Sequence, residues 1–165
     1  MIKKHLLFVC LGNICRSPSA EAVMNGLLKK RGRDLQVICD SAGIIGFHAG
    51  EPADARMQKH ARKRGYALTS LSRQVKADSD FDRFDMIIGM DDQNIKDLLA
   101  LARSEDDKKK IFRMTDFCTL HKYNQVPDPY YGGSEGFELV LDLLEDACDG
   151  LLAHLDKESE IRMKE

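Results

Sequence analysis

The clearest hydrophobic patterning lies at the two ends of the chain. Near the start, His5–Cys10 (HLLFVC) is a compact apolar run of strand length, as expected of a strand buried on both faces. Near the end, Phe137, Val140, Leu141, Leu144, Cys148, Leu151 and Leu155 recur at three- and four-residue intervals. That spacing predicts one amphipathic helix over roughly Glu135–Lys157. Between them the pattern alternates. Pro18 to about Arg31 has helical spacing, with Ser17 a natural N-cap, Pro18 suited to the first turn and Gly32 a stop. Leu35–Cys39 reads as a second strand and Gly43–Pro52 as a glycine-rich loop. A helix capped by Asp54 is predicted to run to Arg64 and end at Gly65. Asp85–Met90 reads as a third strand, followed by a helix over about Asp92–Arg103, and Ile111–Met114 as a short fourth strand. A long stretch from Thr115 to Ser134 carries Pro127, Pro129, Gly132 and Gly133, and structureless segments of that length in a compact domain are often functional.

Strands alternating with helices predict an α/β sandwich around a parallel sheet, with ligands at the carboxyl ends of the strands. The length of 165 residues suits one domain, expected over 1–158 with 159–165 as a tail. A net charge of −2 lacks the basic excess of a nucleic-acid binder. No apolar run approaches the length of a membrane span, and the short run after Lys3 and Lys4 lacks the features of a secretion signal, so a cytoplasmic protein is expected. The five cysteines are odd in number and include no CxxC pair, which argues against a disulfide framework and against a zinc site. Cys39, Cys118 and Cys148 read as small buried hydrophobes.

The first strand ends on Cys10, and the segment Cys10-Leu11-Gly12-Asn13-Ile14-Cys15-Arg16-Ser17-Pro18 places C-x5-R at a strand–helix turn. A phosphate needs many donors. A loop curling into a helix start aims several backbone N–H groups at one point, where the helix dipole also favours negative charge. Gly12 and Asn13 suit the left-handed angles of such a curl. Arg16 can grip two phosphate oxygens, and the same field favours the thiolate of Cys10. Cys10 is therefore the candidate nucleophile. The candidate phosphate- and substrate-binding positions are Leu11, Gly12, Asn13, Ile14, Cys15 and Ser17, with Ser17 placed to ease departure of the sulfur. The candidate general acid is Asp128 in Val126-Pro127-Asp128-Pro129-Tyr130-Tyr131, where two prolines stiffen the backbone and two tyrosines can wall a pocket for an aromatic ring. Taken alone, that segment also reads as an Asp-Pro turn with surface tyrosines.

Together, FVCLGNICRSPSAEAV and PDPYYGG resemble the two signatures of the low-molecular-weight protein tyrosine phosphatases, and the likeness continues through Asp40–Gly43, Ser72–Gln74, Phe84-Asp85 and Met90-Asp91. The resemblance implies a three-layer α/β/α sandwich with a four-stranded parallel sheet. It implies hydrolysis of phosphotyrosine in proteins, or of small aryl phosphates, through a phosphocysteine intermediate. Cys10 would be the nucleophile, Arg16 the phosphate ligand and Asp128 the proton donor, with no metal or organic cofactor and no obligate partner. It further implies that Asn13 takes a strained conformation in a hydrogen-bond network with Ser17 and Ser41, that Tyr130 and Tyr131 flank the substrate ring, and that Cys15 can form a reversible disulfide with Cys10. The chain departs from the family at Phe47, where many members have Trp, and at Ser70, where vertebrate members have His. His48, beside Phe47, is expected at the rim, and neither it nor His60 is needed as a base. Two other enzymatic readings of the fold remain. Arsenate reduction would need relay cysteines where the chain has Gly89 and Lys96. Phosphoarginine hydrolysis is associated with Thr where the chain has Ile14, whose apolar surface suits a phenyl ring. A phosphocysteine carrier would have no use for Arg16 or Asp128.

Overall fold

The computed structural model describes residues 3–33 and 36–164, with side chains through Glu160. Four strands form one parallel sheet in the order β2-β1-β3-β4: β1 Lys4–Cys10, β2 Val37–Gly43, β3 Met86–Gly89 and β4 Ile111–Arg113. The helices are α1 Arg16–Lys30, α2 Ala55–Lys63, α3 Ala77–Arg83, α4 Asp92–Leu101, the single turn α5 Glu105–Lys108 and α6 Ser134–Lys164.

The alternation within β1 sets the layers. Leu6, Phe8 and Cys10 point into a core built with Met24 and Leu28 of α1 and Val140, Leu144 and Leu151 of α6. Leu7 and Val9 point the other way, against Phe81 of α3, Phe84 and Leu98 of α4. All four of Leu6, Leu7, Phe8 and Val9 are fully buried, so the central strand is apolar on both faces because both are covered. The fold is the expected three-layer sandwich.

Several boundaries differ from expectation. β2 begins at Val37 and runs on to Gly43, because Asp40–Gly43 pair in register with Leu7–Cys10 despite low strand propensity. Leu35, the expected start of that strand, lies outside the described residues. α3 and α5 are short polar helices without a readable stripe. α6 continues well past Lys157 to Lys164. Asp54 caps α2 as expected, its carboxylate accepting from the amides of Arg56 and Met57. Gly32 and Gly65 take left-handed angles just past α1 and α2, where a Cβ would be strained.

Candidate active site

The turn from β1 to α1 is a tight loop tied down from outside. The carbonyls of Cys10, Leu11 and Ile14 accept from the amides of Ile44 (3.0 Å), Ile45 (3.0 Å) and Asp54 (2.8 Å). The Gly12 carbonyl accepts from Ser72 Oγ at 3.0 Å. In a trans peptide the N–H points opposite to the C=O. The amides that follow these carbonyls, those of Leu11, Gly12, Asn13 and Cys15, therefore face inward, toward the space in front of Cys10. Gly43 permits this approach. A Cβ there would lie 2.9 Å from the Leu11 carbonyl oxygen, and that backbone cannot give way.

Asn13 is held at φ 58°, the one left-handed non-glycine residue among those described. Its amide group donates to Ser17 Oγ at 2.8 Å, and its carbonyl oxygen accepts from the Arg73 backbone N–H at 3.0 Å. Arg73 is anchored in turn, its guanidinium bridging Asp40 and the buried Asp80. The strained Asn13 expected from the resemblance is present, but two expectations about its surroundings are not. Gly12 is not among the left-handed glycines; its lack of a side chain leaves room instead for the His48 ring, 3.1 Å from where a Cβ would sit. Ser41 does not bond Asn13; its hydroxyl donates to Glu21 Oε1 at 2.6 Å. Burial pushes the Glu21 carboxyl above the usual carboxylate range despite that bond.

Ser17 is not the N-cap. α1 starts two residues earlier than expected, at Arg16, with Cys15 as its cap residue and no side-chain capping bond there. The Ser17 hydroxyl is engaged at the site: it lies 3.0 Å from Cys10 Sγ, takes the Asn13 bond, and sits 3.4 Å from the Ala42 carbonyl. As the second residue of the helix, Ser17 lies past the cap position, and its hydroxyl is turned to the sulfur instead.

Arg16 is buried, yet fully employed. Its Nη1 donates to Asp91 Oδ2 at 2.6 Å and to the Val126 carbonyl at 3.0 Å, and its Nη2 lies 3.7 Å from Asp128 Oδ2. Burial works against the charged guanidinium, but the Cys10 sulfur and the Asp91 carboxylate outweigh it and raise its pKa. Asp91 follows β3 and also caps α4 in a reciprocal pair with Asn94. Asp128 is half exposed, and its Oδ1 accepts from the Tyr130 amide at 3.0 Å.

Cys10, Leu11, Gly12, Ile14, Cys15, Arg16, Phe47, Asp128, Tyr130 and Tyr131 line one cleft of about 320 Å³. Asn13, Ser17 and Ser41 stand behind it rather than in its wall. Phe47 and Tyr131 project almost entirely into solvent, while Tyr130 packs edge-on to Tyr131 with centroids 5.0 Å apart. His48 is at the rim as expected, its Nδ1 2.8 Å from Glu51. Sequence reasoning assigned no role to Asp91, Ser72, Arg73 or Glu21, nor to Ile45, which also lines the cleft. Position alone could have found Asp91, since it follows the carboxyl end of a strand.

All five cysteines are free thiols. Burial, with Asp54 nearby, pushes the Cys15 thiol well up, and burial pushes Cys39 and Cys118 up to about 12. Among the described residues no cluster of His, Cys, Asp and Glu could hold a metal ion, and no helix is long and apolar enough to cross a membrane.

A doubly covered parallel sheet with a cysteine–arginine phosphate loop at the end of its first strand, and a carboxylate across the cleft, defines a cysteine-dependent phosphatase scaffold. The model of the family described as low molecular weight phosphotyrosine protein phosphatase matches residues 5–161, and the chain belongs to that family. It is 46% identical over 153 residues to a putative low molecular weight protein-tyrosine-phosphatase of Synechocystis, covering 93% of this chain and 97% of the other. A crystal structure of an Entamoeba histolytica protein tyrosine phosphatase with Hepes in the active site superposes with a TM-score of 0.92 at 50% identity, covering 95% of this chain and 99% of that one. A Drosophila arginine phosphatase is also similar, with a TM-score of 0.84 at 31% identity over 91% of this chain and 96% of that one.

Proposed function

We propose that the chain hydrolyses phosphotyrosine, in proteins or as small aryl phosphates, through a phosphocysteine intermediate. The observation that carries this reading is the convergence of Cys10, Arg16 and Asp128 on one cleft, with Arg16 Nη2 3.7 Å from the Asp128 carboxylate. The inward amides and Arg16 bind the phosphate oxygens and favour the charge that develops as phosphorus changes partners. Cys10 Sγ attacks phosphorus. The phosphorus–oxygen ester bond breaks, and the phenolic oxygen leaves with the proton of Asp128. Asp128, now a carboxylate, takes a proton from a water that attacks the phosphocysteine, and the sulfur departs toward the Ser17 hydroxyl, releasing inorganic phosphate. The apolar Ile14, with Phe47 and the two tyrosines along the cleft, supports an aromatic leaving group. Five free thiols support a reducing, cytoplasmic setting.

The test compares phosphotyrosine, phosphoserine and phosphoarginine peptides on the wild type and on Cys10→Ser. The expected result is turnover of phosphotyrosine by the wild type, and none by Cys10→Ser, which still binds inorganic phosphate. Turnover by Cys10→Ser, or a preference for phosphoarginine, refutes the reading.

A further inference from the structure

Arg56 sits in a place that helix physics disfavours. It is the second residue of α2, a helix with no acid in its first turn, so its charge meets the positive end of the helix dipole. Local rules broken in this way tend to mark functional positions. The contacts of Arg56 show what it does there. Its Nε and Nη2 grip both oxygens of the capping Asp54, at 3.1 and 2.9 Å. The same Nη2 donates to the Tyr130 carbonyl at 3.0 Å. The guanidinium also lies over two aromatic rings, 5.3 Å from the centroid of Tyr130 and 5.0 Å from that of Phe137 at the start of α6.

These contacts form a continuous strut from the loop after β1 to the Asp128–Tyr130 segment. At one end, the Asp54 amide holds the Ile14 carbonyl of the phosphate loop. At the other, the two backbone polar groups of Tyr130 are divided: its carbonyl takes Arg56, and its N–H holds Asp128 Oδ1. We propose that Arg56 is the positioning residue of the general-acid loop, fixing the height of the Asp128 carboxylate above the phosphate loop through Tyr130. The proposal builds on the reading of Asp128 as the proton donor. Arg56 itself need touch neither phosphate nor the reacting atoms. A lysine cannot replace it fully, because only a planar fork bridges both Asp54 oxygens while reaching a carbonyl.

The test reads kcat/KM, which reports departure of the leaving group, for phenyl phosphate and for the better-leaving p-nitrophenyl phosphate. A displaced acid harms the poorer leaving group more. Asp128→Asn is expected to lower kcat/KM selectively for phenyl phosphate. Arg56→Met, which keeps the length of the side chain but not its fork, is expected to lower it about tenfold for phenyl phosphate, part of the ~10²–10⁴ that a general acid contributes, and under about threefold for p-nitrophenyl phosphate. Competitive inhibition by inorganic phosphate, which reads the phosphate loop, is expected to stay within about twofold. In the double variant Arg56→Met/Asp128→Asn, loss of Arg56 is expected to add nothing to loss of Asp128. An unselective Asp128→Asn overturns the reading of Asp128. A selective Asp128→Asn overturns the Arg56 proposal alone if Arg56→Met is unselective, weakens phosphate inhibition, or lowers activity further in the double variant. Should Arg56→Met not fold, Arg56→Lys is read in the same assay, with the loss for phenyl phosphate again exceeding that for p-nitrophenyl phosphate.

Discussion

Asn13 offers the sharpest test of how the phosphate loop is held. Its side chain is buried, its backbone is left-handed, and its carbonyl oxygen is the acceptor of the Arg73 N–H. Replacing it with Ala removes that acceptor and leaves a half-buried backbone donor unmatched, at about 1–3 kcal/mol. It also puts a Cβ-bearing residue without a local hydrogen-bonding group at φ 58°, which costs roughly 1 kcal/mol more. Asn13→Ala is therefore expected to lose about 2–4 kcal/mol of stability. Asn13→Gly loses the same hydrogen bonds but relieves the backbone term, offset in part by the greater freedom of glycine in the unfolded chain. It is expected to be more stable than Asn13→Ala by about 0.5–1 kcal/mol. Urea unfolding of both variants gives the difference directly, and a titration with inorganic phosphate shows whether the loop still presents its amides. If Asn13→Gly is no more stable than Asn13→Ala, the left-handed backbone is not what Asn13 supports. If both stay within about 0.5 kcal/mol of the wild type, the hydrogen bonds to Ser17 and Arg73 contribute little, and the reasoning fails.

Asp91→Asn keeps the α4 cap but removes the charge that orients Arg16. It is expected to lower kcat/KM roughly 10- to 100-fold, the equivalent of a charge-assisted hydrogen bond, with little change in Tm; a loss under about twofold would show that Val126 alone suffices. Asp146 on α6 accepts from the amides of Thr119, Leu120 and His121 and from Thr119 Oγ1. Burial opposes its charge, but the amide bonds prevail and hold its carboxyl below the usual range. Its contribution is thus complete above the unfolded value near ~4 and fades as pH falls through the folded value. Asp146→Asn is expected to destabilise by about 1–2 kcal/mol at pH 7, with the gap to the wild type closing in acid; a gap independent of pH from 7 down to 2 would contradict this.

The sequence revealed those parts of the molecule that are written as local pattern. β1 was legible because its apolar run needs no context, and α6 because its stripe is long. Asp54 and Gly65 marked the ends of α2 through their own chemistry. The second half of β2 was not legible, since Asp40–Gly43 resemble a turn and are strand only because β1 lies beside them. Ser17 was misjudged as a helix cap, while its expected place beside the sulfur is where the structure has it. Its hydroxyl suits a helix cap and a thiol equally, and only the fold decides which neighbour arrives. Cys10 and Arg16 became candidates from phosphate chemistry at one turn, and the structure brings them to one cleft. Asp128 needed the family resemblance, and the partners Asp91, Ser72 and Arg73 needed tertiary proximity, which no local pattern encodes.

The position of β1 at the centre of the sheet bears on how the protein is made. The strand that ends in Cys10 precedes the other three in the chain, yet each of its edges awaits a strand made later, and the ties on its loop come from residues as distant as Ser72 and Arg73. Arg16 is oriented only once Asp91 and Val126 have arrived. A nascent chain therefore carries Cys10 out of the ribosome long before any anion site exists around it. The candidate site comes together only after the residues through Asp128 have been made, and a fragment ending before Asp128 would hold Cys10 without the carboxylate that shares its cleft.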